Sequence, residues 1–77
     1  MNMIEVIPFG QITEITGDKS FNLEAVDTDD IQRILVERYP AMAGLRYAIA
    51  VDRVVVKSNV PLVDGAVVAL LPPFSGG

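Results

Sequence analysis

The apolar positions of this chain fall into short periodic runs separated by turn residues. Met3-Ile4-Glu5-Val6-Ile7 is a largely β-branched run that meets Pro8, where a backbone N–H is lost, so a first strand is predicted over residues 3–7. From Gly10 to Thr16, Ile12 and Ile15 recur at a helical spacing until Gly17-Asp18 breaks it, which predicts one short helical turn. Residues 20–25, Ser20-Phe21-Asn22-Leu23-Glu24-Ala25, alternate polar and apolar, as a half-buried strand does, with Phe21, Leu23 and Ala25 on one face. Asp27-Thr28-Asp29-Asp30 then supplies capping oxygens and negative charge at the positive end of a helix dipole. Ile31, Ile34 and Leu35 form one stripe with Val36 beside it, and Tyr39-Pro40 ends the pattern, so the main helix is predicted over residues 28–38.

After a loop containing Pro40 and Gly44, residues 47–51 and 54–57 read as two strands joined tightly at Asp52-Arg53. Pro61-Leu62-Val63-Asp64-Gly65 is a turn segment, and residues 66–71 form the last strand, stopped by the paired imides of Pro72-Pro73. Alternation along that strand sets Val68 and Leu70 on one face and Val67, Ala69 and Leu71 on the other, so one set can fill a core while the second faces a partner. The order strand, turn, strand, helix, strand, strand, strand predicts an α+β fold, a β-grasp whose mixed sheet packs on one main helix. Residues 1–71 are assigned to this domain and residues 72–77 to a flexible tail ending in Gly76-Gly77.

Composition narrows the chemistry. A chain of 77 residues has room for one core. Cysteine and histidine are both absent, which removes disulfides, thiol nucleophiles, most zinc sites and the commonest general base near neutral pH. The helix-capping role accounts for Asp27, Asp29 and Asp30, and no metal site is assigned. Ten acidic residues against six basic ones give a net charge of −4, the wrong sign for a nucleic-acid partner and a suitable one for docking on basic protein surfaces. No apolar run approaches the roughly 18 residues that span a bilayer, and no basic stretch followed by an apolar one opens the chain, so no membrane association and a cytoplasmic location are expected.

The carboxyl-terminal third is more specific. Ala50-Val51-Asp52, then Pro61-Leu62-Val63-Asp64-Gly65, then the apolar strand with Pro72-Pro73-Phe74-Ser75-Gly76-Gly77, resembles the small sulfur-carrier proteins, a ubiquitin-like family that includes the molybdopterin synthase small subunit and the thiamine sulfur carrier. The stretch from Val6-Ile7-Pro8-Phe9-Gly10-Gln11 to Gly17 resembles that family's first strand and following turn. Pro72-Pro73 and the hydrophobic opening favour the molybdopterin branch, while Asp52, where many relatives carry asparagine, and Pro8, where an apolar side chain is common, depart from the pattern.

The resemblance implies that an activating enzyme of the ubiquitin-activating type uses ATP to adenylate the Gly77 carboxylate, and that a sulfur donor turns the acyl adenylate into a thiocarboxylate. The carrier then gives sulfur to a pterin precursor in the large catalytic subunit of molybdopterin synthase. No permanently bound cofactor is implied. Residues 72–77 can extend about 20 Å at roughly 3.3 Å per residue, enough to enter another protein's active site, and Gly76 and Gly77 lack side chains that would obstruct it. By the same resemblance Phe9, Val55, Leu71 and Phe74 are the candidate contacts with the large subunit. The tail chemistry is shared by carriers for thiamine synthesis, for tRNA thiolation and for covalent protein tagging, and a non-covalent β-grasp interaction module is the alternative in which the tail is incidental.

Overall fold

The computed structural model describes residues 2–73. The opening strand β1 (Met3–Pro8) pairs antiparallel with β2 (Phe21–Glu24), Ile4 opposite Leu23 and Val6 opposite Phe21. Between them a 3-10 turn (Gly10–Ile12) runs directly into the single-turn helix α1 (Thr13–Thr16), which buries Ile12. The main helix α2 (Thr28–Arg38) starts at Asp27, whose carboxylate accepts the Asp30 N–H at 2.8 Å, and stops at Tyr39, held in a non-helical conformation before Pro40. A second 3-10 turn (Pro40–Gly44) leads to the hairpin of β3 (Ala48–Val51) and β4 (Val54–Val56), and the chain returns through β5 (Val67–Leu71).

The sheet order is β2-β1-β5-β3-β4, with β5 parallel to β1 and antiparallel to β3. A central parallel pair flanked by two antiparallel arms, with one helix across one face, is the β-grasp arrangement that the order of elements predicts. Alternation sends Ile4, Val6, Leu23, Ile49, Val68 and Leu70 to the α2 side, where they meet Ile31 and Leu35. Each such side chain contributes about 1.5 to 3 kcal/mol through its removal from water.

The observed elements differ from expectation mainly at their ends. The strands expected over 20–25, 47–51, 54–57 and 66–71 are each shorter by one or two residues, because their terminal residues lie outside the paired register. Strand β1 is longer and includes Pro8. The Glu5 N–H donates to the Ala66 carbonyl and the Phe9 N–H to the Leu70 carbonyl, so alternation turns the Pro8 nitrogen toward the β2 side, past the last partnered residue of β2. The segment 40–44, expected as loop, closes a 3-10 turn that buries Met42 in the core.

Candidate functional site

Strand β5 lies at the centre of the sheet and leads straight into the tail, so its helix-free face and its exit define the region of interest. On that face Ala69 lies between Ile7 of β1 and Ala50 of β3, and Ala50 lies opposite Val55 of β4. A row of four apolar residues therefore crosses four strands. Val67 and Leu71 flank Ala69 along β5, and Ala48 lies opposite Leu71. Phe9 extends the Ile7 side of β1 by one further residue and is 44% exposed, while Val55 is 48% exposed. Apolar side chains exposed toward both ends of one continuous apolar row mark a surface suited to docking. The short side chains of Ala69 and Ala50 lie between bulkier neighbours, and a depression of about 420 Å³ opens among Ile7, Phe9, Val67 and Ala69, with Asp52 and Arg53 at its rim.

Two turns hold this face and the exit in place. Asp52 and Arg53 both take left-handed backbone geometry, with φ of 48° and 74°, which matches the two-residue turn that follows the twist of a hairpin. The Asp52 N–H donates to the Val67 carbonyl at 2.8 Å and its Oδ1 accepts the Val67 N–H at 3.0 Å, so the hairpin tip is fastened to the first residue of β5. Asp64 accepts the Met3 N–H at 2.7 Å, and Gly65, with φ of 89°, donates to the Met3 carbonyl at 2.9 Å. The predicted Asp64-Gly65 turn thus also clamps the start of β1.

At the exit, Pro72 lies against Gly10. A Cβ built on Gly10 would come within 3.0 Å of Pro72 Cγ, and Gly10 has φ of 59°, so both space and backbone geometry favour glycine there. Pro73 then borders a cleft of about 520 Å³ formed with Gln32, Val36, Met42, Leu45, Arg46 and Tyr47. Burial pushes the Tyr47 phenol above its ordinary value, so it stays neutral.

Of the residues singled out in the sequence, Phe9 and Leu71 fall side by side, each one residue past the Pro8–Leu70 pair, and Val55 lies on the same face two strands from β5. Phe74, Gly76 and Gly77 lie outside the described residues. Ile7 was not singled out, although its place opposite Ile4 and Val6 in the alternation of β1 marks it as an apolar residue on the face away from the core. The Gly10–Pro72 contact joins positions too far apart for any local pattern to reveal.

The fold and this face define a ubiquitin-like β-grasp domain whose last strand delivers its tail beside an apolar surface. The sequence profile of the ThiS family matches residues 6–77, and the chain belongs to that family of sulfur carriers. It is 36% identical to a chain in the complex of subunits 1 and 2 of molybdopterin-converting factor from Helicobacter pylori, covering 97% of this chain and 99% of that one with a TM-score of 0.75. A Pyrococcus furiosus structure described as subunit 1 of a molybdopterin converting factor shares the fold at 20% identity, with coverages of 96% and 100% and a TM-score of 0.88. The small archaeal modifier protein 1 of Methanosarcina acetivorans shares the fold at 21% identity, covering 100% of this chain and 98% of that one, with a TM-score of 0.83. No curated protein sequence matches the chain significantly.

Proposed function

We propose that this protein carries sulfur on the carboxyl of Gly77 and donates it to a pterin precursor as the small subunit of molybdopterin synthase. The observation that carries this reading is the apolar row from Ile7 through Ala69 and Ala50 to Val55, continuous with the strand that delivers the tail. The Helicobacter pylori relative, solved together with a second subunit, supports a large-subunit partner.

The chemistry assigns the work to other proteins. A carboxylate is a poor electrophile because its negative charge is delocalised over two oxygens. Attack of the Gly77 carboxylate on the α-phosphorus of ATP, in the active site of an activating enzyme, releases pyrophosphate and leaves an acyl adenylate. Sulfide-level sulfur supplied by a donor then attacks the acyl carbon and displaces AMP, which leaves a thiocarboxylate whose sulfur is the transferred atom. This chain supplies the position of that carboxyl. Phe9, Val55, Leu71 and Phe74 dock on the large subunit, the Gly10–Pro72 contact aims the exit, and Gly76 and Gly77 pass a narrow channel.

Two variants test the reading. Ala69→Asp puts a charge at the centre of the apolar row and should abolish co-purification with the large subunit. One alanine added after Gly77 should leave that binding intact and abolish sulfur transfer. A chain that keeps its function with the added alanine is an adaptor, and one recovered in a lysine isopeptide is a protein tag.

A further inference from the structure

Strand β4 is an outer edge of the sheet, paired among the described residues with β3 alone. It consists of Val54-Val55-Val56, bracketed by Arg53 and Lys57. In a two-residue hairpin the residues next to the turn, Val51 and Val54, share the hydrogen-bonded pair, so the N–H and C=O of Val55 point away from β3. Val54 is 63% exposed and Val55 48% exposed. An exposed run of β-branched residues with free ladder groups is a template for another strand. Behind the edge a cleft of about 440 Å³ opens toward α2, lined in part by Thr28, Gln32, Tyr47, Val56 and Lys57.

The charges decide what can occupy this edge. If a second copy paired antiparallel about Val55, Arg53 of each copy would stand opposite Lys57 of the other, and like charges directly opposite are destabilising. Among the described residues neither Arg53 nor Lys57 makes an ion pair; the ion pairs present all belong to Arg33. In a chain whose net charge is −4, the two ends of this one strand are basic. We propose that the β4 edge accepts an extended segment of a partner protein, apolar and β-branched at its centre and acidic at both ends, as a sixth strand. Backbone hydrogen bonds to Val55 supply affinity, the cleft receives an alternate side chain, and Arg53 and Lys57 supply selectivity. The site uses the outward backbone groups of β4, whereas the apolar row ends on the Val55 side chain, so the two share that residue but not its bonding groups, and the edge does not depend on sulfur chemistry.

The test uses the full chain, isotope-labelled, titrated with the synthetic peptide Asp-Asp-Val-Ile-Val-Asp-Asp and with its counterpart in which lysines replace the aspartates. The acidic peptide should shift the Val55 and Lys57 amide resonances and slow exchange of the Val55 N–H, with the lysine peptide about tenfold weaker. The doubly substituted Arg53→Glu, Lys57→Glu chain should reverse that preference. Val55→Pro, which removes the outward N–H and no hydrogen bond to β3, should lose binding while its amide spectrum elsewhere stays folded. No shift along β4, a shift centred on Ile7 and Ala69 instead, or equal binding of both peptides overturns the assignment. So does a wild-type chain that dimerises through β4, since its occupant would then be a second copy.

Discussion

Gly10 and Asp52 each connect a turn to β5, the strand that bears the exit, and neither role is visible from neighbours in sequence. At Gly10 the left-handed backbone alone costs a side-chain-bearing residue about 1 to 2 kcal/mol, and Pro72 occupies the space where the Cβ would go. Gly10→Ala should therefore lower stability by about that amount in urea denaturation and, by displacing Pro72, slow activation of the tail. A loss of stability without any change in activation would separate the turn from the exit. Asp52 accepts the Val67 N–H through one carboxylate oxygen while holding φ at 48°. Asparagine offers the same oxygen and tolerates the same geometry. Asp52→Asn should stay within roughly 0.5 kcal/mol of the parent, whereas Asp52→Ala loses the bond and should cost about 1 to 2 kcal/mol. Equal effects of the two changes, read from urea midpoints, would contradict the proposed clamp.

Among the elements, α2 was the most legible, because both its ends are written in neighbouring residues: Asp27 caps the start and Tyr39-Pro40 ends it. What the sequence could not show is how that cap is braced from a distant loop. Asn59 Oδ1 accepts from the Asp29 N–H at 2.8 Å and from the Thr28 hydroxyl at 3.1 Å, and its Nδ2 donates to Asp27 at 3.3 Å. Asn59→Ala should destabilise the protein by about 1 to 2 kcal/mol, with helical circular dichroism and urea unfolding as the readout. In the first turn, hydrogen bonding to Arg33, and then to the Val26 N–H, holds the Asp30 carboxyl below its ordinary 3.8. The sign follows from that depression: the contribution is complete above 3.8 and is lost as pH falls through the lower folded value. The stability gap between the parent and Asp30→Asn should therefore shrink on acidification through that range. A gap unchanged by acid would assign the effect of Asp30 to packing. Strand ends were less legible, since a strand stops where its neighbour stops and pairing partners are not local. Pro8 shows this well, its tolerance in β1 depending on where β2 ends.

At the scale of the whole molecule, two periods of apolar residues sufficed to read the β-grasp. Strands β1, β2, β3 and β5 each bury one face in the core beneath α2, and a slip of one residue would turn that face to water. The second, open face was only half legible: alternation along β5 separated Val67, Ala69 and Leu71 from the core set, but the row from Ile7 to Val55 exists only through the pairing register. Seen as a whole, the domain is a rigid mount with an apolar face and an aimed exit, and its proposed working group is a carboxyl that other proteins modify. Intact-mass spectrometry addresses that claim most directly. The protein is incubated with its activating enzyme, ATP and a sulfur donor, and the Gly77 carboxyl is examined for exchange of one oxygen for sulfur. The carrier reading requires that mass change, dependent on ATP and absent when an alanine follows Gly77. An unchanged mass, under conditions where the same enzyme thiolates another carrier, would contradict it.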